Sequence, residues 1–406
     1  MSNDRLNHSA QAPILVAAVL ASLLGMVSAR PASADSVRLA LGKNDSIVVI
    51  GNTFAERMSM FSYFETLVSA LYSDHELKFR NLGWSGDTLS IQPRPLNFGE
   101  LDEHLAYYGA DVIVACFGMN ESFDGPGGLP AFEQEWEDFL ERMSESKFNG
   151  EGPPRIAMVS PIAHEPQGGK LPDPRVHNEN LKLYTDSMRR IAVKHNLPFA
   201  DLFTPTMRLA GTAPRLTRNG IHTTPYGDWV TAQILVRSLG LLPQGDDALR
   251  IDAAAEQLPI RFQLGAQVPL PTPPSSPGAI PVDLRPQVTV TGLGPGRYSL
   301  LVDGQATATG DASDWANGVR IQSGPTVEMA EDLRQTILEK EKQFFYRWRA
   351  VNGEYIYGRR KEPFGVINFP DEMKALEASA ADLDGKIWSL SRALKNQSYQ
   401  LVAVSE

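Results

Sequence analysis

Between about residues 36 and 241 the chain alternates short apolar runs with amphipathic stretches, a pattern few architectures satisfy. The runs are Ile47-Val48-Val49-Ile50, Leu77-Lys78-Phe79-Arg80, residues 112–117, Ile156-Ala157-Met158-Val159 and Phe199-Ala200-Asp201-Leu202. Several are continuous and apolar, as expected of strands covered on both faces. Residues 60–72, 132–143 and 180–195 carry apolar side chains at helical spacing. Strand-helix-strand alternation predicts a mostly parallel sheet, and right-handed crossovers place helices on both of its sides. The expected fold is therefore α/β, a three-layer α/β/α flavodoxin-like arrangement. Ligands of such sheets bind beyond the carboxyl ends of the strands.

The chain has 406 residues, 42 % hydrophobic and 21 % charged, enough for two domains or one large domain with an appendage. Its 48 acidic and 38 basic side chains give a formal charge of −10, and no Lys/Arg cluster offsets it. That balance excludes nucleic acid as a partner. Near the N-terminus, Arg5 precedes an apolar run over residues 14–24, followed by Ala32-Ser33-Ala34. This reads as a signal peptide over residues 1–34, with export to the periplasm or the exterior. The run is shorter than the roughly 20 residues of a bilayer span, so no stable membrane span is expected. The single cysteine, Cys116, forms no intrachain disulfide and is expected as a small buried hydrophobe. No Cys-x-x-Cys or His-rich spacing is present, and no metal or other cofactor is expected.

After residue 241 the composition changes. Residues 35–245 form the expected first domain, and residues 246–286 a Pro-rich linker or surface strap. Residues 287–325 read as a small antiparallel β unit: Val288-Thr289-Val290, the turn Gly292-Leu293-Gly294-Pro295-Gly296, a second run, then Asp303-Gly304. The glycine cluster does not open a helix ending in Lys-Ser/Thr, so it is a turn and not a phosphate loop. Residues 326–406 are expected to be helical, with Leu333, Ile337, Phe344 and Trp348 on one stripe and Met373, Leu376, Leu383, Ile387 and Leu390 on another. The aromatic and basic residues from Phe344 to Arg349, with Tyr355 and Tyr357, are expected to pack on the first domain. Binding a sugar or a stacked ligand is the alternative.

Four short motifs carry the chemistry: Gly51-Asn52-Thr53-Phe54, residues 81–88 (Asn-Leu-Gly-Trp-Ser-Gly-Asp-Thr), Gly118-Met119-Asn120-Glu121 and Asn219-Gly220-Ile221-His222. The first three each follow a predicted strand and so belong at one sheet edge. Their order and spacing resemble the SGNH (GDSL-type) hydrolases, which cleave acyl esters with a Ser-His-Asp triad. The resemblance covers about half the chain. It implies Thr53 at the nucleophile position, with His222 as general base and Asn219 where the orienting carboxylate belongs. It also implies an oxyanion hole built from the backbone N–H groups of Thr53 and Gly86 and the side-chain amide of Asn120. At Gly86 a side chain is expected to block close approach.

Threonine in place of the family's serine keeps a hydroxyl but stiffens χ1. Asparagine in place of aspartate removes the charge that steadies an imidazolium. In the chymotrypsin-type template that swap costs about 10⁴ in rate, through the wrong tautomer. An Asn oxygen that still accepts from Nδ1–H would preserve the geometry. Glu56, Arg57, Trp84 and Glu121 are candidate substrate contacts, with a Glu56–Arg57 ion pair as the plainer alternative. His164 and His177 border a Gly/Pro-rich loop and are expected at the surface. The expected function is an exported ester hydrolase acting on a small ester or an acetylated carbohydrate. The alternative is a catalytically silent relative that binds a glycan or a protein, and an envelope structural role has nothing specific in its favour.

Overall fold

The computed structural model describes residues 37–94, 98–243, 249–265, 267, 269–274, 281–349 and 370–404. The expected signal segment, Tyr355 and Tyr357 lie outside them, as does part of the Pro-rich stretch.

Strands β1 (Ser46–Gly51), β2 (Lys78–Asn81), β3 (Val112–Cys116), β4 (Arg155–Val159) and β5 (Phe199–Ala200) form one parallel sheet, in the order β2-β1-β3-β4-β5. Alternate side chains face opposite layers, so Ile47 and Val49 enter one apolar core while Val48 and Ile50 enter the other. Helices α1 (Thr53–Phe61) and α2 (Tyr63–Leu71) cover the first face. On the second, α3 (Leu101–Tyr107), α4 (Gly125–Glu145) and α5 (Arg175–Lys194) contribute Leu105, Trp136 and Tyr184. Helices α6 (Phe203–Leu209) and α7 (Pro225–Ser238) return to the first, with Trp229 of α7 fully buried. This is the expected three-layer arrangement. One expected helix, residues 60–72, is interrupted at Ser62, whose φ of 58° ends α1 and starts α2.

Beyond α7 come β6 (Leu249–Asp252), β7 (Ile260–Phe262), β8 (Gln287–Thr291), β9 (Arg297–Val302), β10 (Gln305–Asp311), α8 (Ala312–Asn317), β11 (Val319–Arg320), α9 (Pro325–Trp348), α10 (Pro370–Lys395) and β12 (Tyr399–Ala403). They build two small sheets, β10-β9-β12-β7 and β11-β8-β6, around Leu300, Val302, Trp315 and Leu401. Three expectations change here. The stretch read as a linker contributes β6 and β7, and the helical tail ends in a strand that pairs with β9. Strands β8 and β9 sit in different sheets, while β9 and β10 form the hairpin across Asp303-Gly304, where both φ values are positive as a type I′ turn requires. The part of the strap that is described does pack: Leu270 is buried, and Trp229 donates to the Pro271 carbonyl at 3.3 Å.

Strand β2 ends the parallel sheet, and an uncovered edge strand leaves backbone groups unpaired. Helices α9 and α10 close that edge. Lys340 donates to the Phe79 carbonyl at 3.3 Å and Trp388 to that of Leu77 at 2.8 Å. Helix α9 runs across the edge, so Leu333 and Ile337 enter the first core and Phe344 and Trp348 the second. The charges it buries are paired: Lys340 with Glu65 at 2.6 Å and Glu341 at 2.8 Å, beside Arg80 with Asp384 at 2.8 Å. Phe344 and Trp348 thus pack against the first domain as expected, whereas Phe345 and Tyr346 of the same run are exposed.

Candidate functional site

The site begins where β1 enters α1. Asn52 caps the helix, its side-chain oxygen accepting from Phe54 N–H at 3.0 Å, and this sets Thr53 as the first helical residue. Among the described residues, neither the Thr53 hydroxyl nor its backbone N–H has a hydrogen-bond partner. The loop after β2 lies directly on this turn. Trp84 N–H donates to the Gly51 carbonyl at 2.9 Å, and Asn81 Nδ2 donates to that of Ala55 at 2.7 Å. A Cβ on Gly83 would stand 2.4 Å from the Glu56 nitrogen, so only glycine permits this approach. From β3, Asn120 Nδ2 donates to the Asp87 carbonyl at 2.8 Å, which leaves its second amide hydrogen free.

Gly86 departs from expectation. A Cβ there would meet nothing within 4 Å; its φ of +92° is what requires glycine. Its backbone N–H is unbonded among the described residues.

The fourth motif sits on a tight loop before α7, closed by a bridge between Thr217 and Thr223. Buried Glu165 locks it, accepting from Thr217 N–H at 2.8 Å, while Glu165 N–H donates to the Gly220 carbonyl at 2.8 Å. Asn219 Oδ1 accepts from the backbone N–H of His222 at 3.0 Å, which fixes the oxygen end of the amide. Nδ2 therefore faces His222 Nδ1, at 3.2 Å. An amide nitrogen only donates, so Nδ1 must accept and the ring proton resides on Nε2. The preserved geometry expected of an Asn oxygen does not occur. Burial, then the charges of Arg57 and Arg218, also hold the His222 pKa below its ordinary value.

The candidate substrate contacts separate. Glu56 does not pair with Arg57; it accepts from Ser85 N–H at 2.8 Å, from the Ser85 hydroxyl, and from Arg349 Nη2 at 3.0 Å. Arg57 turns to the fourth motif and donates to the Thr223 carbonyl at 3.3 Å. The Trp84 ring lies under two guanidiniums, Arg349 at 3.6 Å and Arg94 at 4.3 Å, and meets Trp348 edge-on. Glu121 is buried, bracing two loops by accepting from Gly118 N–H at 2.8 Å and Leu89 N–H at 3.2 Å. Burial raises its carboxyl to about 7.

His164 and His177 correct the surface expectation, since both are buried. Their Nδ1 atoms meet at 3.0 Å, and His177 Nε2 meets the Ser122 hydroxyl at 2.9 Å. Desolvation pushes His177 down to about 4. A Cβ on Gly220 would strike the His164 ring at 2.6 Å, so this pair links the Asn120 turn to the His222 loop. The available signal was position: His164 and Glu165 follow β4, beyond a strand carboxyl end, where the first three motifs also lie. Arg349 had no such signal, because it reaches Glu56 from 293 residues away.

A family model of the GDSL-like lipase/acylhydrolase family matches residues 45–230. No curated protein matches the sequence. Among solved structures, a gut microbial diltiazem-metabolizing enzyme is similar with a TM-score of 0.67 at 18 % identity, over 91 % of this chain and 100 % of that one. A catalytic mutant of an acetylxylan esterase from Geobacillus stearothermophilus aligns over 50 % of this chain and 97 % of its own, at 17 % identity and a TM-score of 0.40. Likeness of fold to the first extends well past the matched family segment. Residues 45–230, which carry the parallel sheet and all four motifs, are similar to the GDSL-like lipase/acylhydrolase family.

Proposed function

We propose that the protein is an exported acyl-ester hydrolase whose oxyanion side is complete and whose base is weakened. The observation that carries this reading is the set of unengaged donors at one sheet edge: Thr53 N–H, Gly86 N–H and the second Asn120 amide hydrogen, beside a free threonine hydroxyl. Such donors, fixed by the backbone before substrate arrives, stabilise a developing oxyanion at little reorganisation cost. Thr53 Oγ1 attacks the ester carbonyl carbon and its proton passes to His222 Nε2. The tetrahedral oxyanion collapses, the alkoxide leaves with that proton, and water repeats the sequence on the threonyl ester.

His222 can accept at Nε2 only in the tautomer that Asn219 disfavours. Turnover is therefore slow, with the proton first relocated to Nδ1 and the Asn219 amide turned away from it. Acetylated carbohydrate as substrate rests on the family resemblance, and export on residues 14–24 with Ala32-Ser33-Ala34. The orientation of the Asn219 amide also favours a second reading, a silent relative that uses the same site for binding.

Hydrolysis of 4-nitrophenyl acetate by the purified protein, Thr53→Ala and His222→Ala separates the two. Slow turnover by the wild type that is absent from both variants is the expected result. Equal traces in all three proteins would overturn the hydrolase reading.

A further inference from the structure

Four cationic side chains are buried among the described residues: Arg57, Arg80, Lys340 and Arg347. Three have carboxylate partners, Arg80 with Asp384, Lys340 with Glu65 and Glu341, and Arg347 with Glu377 at 2.9 Å. Arg57, only 9 % exposed, has none within 4 Å. Its Nη2 makes one long bond to the Thr223 carbonyl, and its Nε is sealed and unpaired. Nη1 also makes no bond, yet it is not among the sealed atoms and so reaches solvent.

Neutralisation from within is incomplete: Glu56 and Asp228 attract the Arg57 guanidinium, but neither forms an ion pair with it. Glu56 is engaged by Ser85 and Arg349. Asp228 accepts from Tyr63 N–H at 3.4 Å and makes no ion pair with Arg57, and burial raises its carboxyl pKa. A second cation stands nearby: Arg218 is exposed, has no ion pair, and its backbone N–H donates to the His222 carbonyl at 2.9 Å. An unpaired buried guanidinium is costly, and chains retain one where a ligand completes it. Arg57 lies one helical turn from Thr53 and hydrogen-bonds the residue after His222, so the missing anion belongs beside the reacting groups.

We propose that Arg57, assisted by Arg218, binds a carboxylate carried by the ester that occupies this site. Guanidinium and carboxylate match as paired, charge-assisted hydrogen bonds, which a neutral substrate cannot offer. This inference rests on the reading of the site as an ester site, and its test therefore includes binding without turnover.

Calorimetry with 4-hydroxybenzoate and its neutral isostere 4-hydroxybenzamide measures the preference directly. The wild type is expected to bind the carboxylate about tenfold more tightly or better, with the advantage lost in Arg57→Met, reduced in Arg218→Gln and partly restored in Arg57→Lys. Melting of Arg57→Met is expected at or above the wild-type temperature, because the variant removes an uncompensated buried charge. Equal binding of the two probes, or a melting temperature several degrees lower in Arg57→Met, would overturn the proposal. In parallel, 4-acetoxybenzoate should be hydrolysed in preference to 4-acetoxybenzamide. Loss of hydrolysis with the binding preference intact would overturn only the hydrolase reading.

Discussion

The proposed oxyanion side and the proposed base side of this site are built from different materials. Gly51, Gly83, Gly86 and the carbonyls of Ala55 and Asp87 hold the first, so its shape is a property of three strand ends and the backbone leaving them. The second depends on side chains: Asn219, His222 and Arg57, with Glu165 locking the loop. A backbone donor survives substitution because every residue but proline carries an N–H, so Asn120, which donates through its side chain, is the vulnerable member of that side. A side-chain site can be switched by one atom, as the Asn219 amide nitrogen in place of a carboxylate oxygen demonstrates. On the proposed reading, the donors of one side are kept while the proton chemistry of the other is altered.

If that contrast holds, repairing the base side should give the largest effect. Asn219→Asp returns an acceptor to His222 Nδ1 and is expected to raise kcat for 4-nitrophenyl acetate by about 10² to 10⁴, the upper figure being the template's own penalty reversed. An unchanged kcat in a folded variant would mean that the base side does not limit turnover. Damage to the oxyanion side comes next. Asn120→Ala removes one donor and should lower kcat by about 10² to 10³, with KM much less affected. Because Asn120 also bonds the Asp87 carbonyl, its melting temperature serves as the control, and a fall in kcat matched by unfolding would break the assignment.

A smaller effect lies in the pH profile. Burial and then Arg57 and Arg218 lower the His222 pKa from its ordinary 6.5, so the neutral base persists in more acidic solution. The acid limb of kcat/KM should therefore fall below that value and move upward in Arg57→Met. A limb that stays put in the variant would separate Arg57 from His222.

Legibility of the sequence followed locality. The five parallel strands were readable because each gives a short strand-like run, continuous and apolar in β1 and β3 and mixed in β2, and three motifs could be placed because they sit at strand ends. The closure of the β2 edge was not readable, since Lys340 and Trp388 reach carbonyls 261 and 311 residues away. Nor was the pairing of β12 with β9, which joins a terminal segment to a hairpin about a hundred residues earlier. At the site, residue types were legible and orientations were not. Glu121 and Glu56 look alike as acidic neighbours of motif residues, yet one is a buried brace and the other an exchange point between α1, the β2 loop and Arg349. Asn219 was recognisable as a substitution, but which end of its amide faces the ring is decided by a backbone N–H.

The most direct test of this account is the tautomer of His222, read by nitrogen-15 NMR of the imidazole rings with His222→Gln to assign the signal. In the wild type near neutral pH, Nε2 should carry the proton and Nδ1 should show the shift of a bare acceptor, while Asn219→Asp should move the proton to Nδ1. A wild-type ring already protonated at Nδ1, with Nε2 bare, would contradict the claim that Asn219 holds the base in the wrong form.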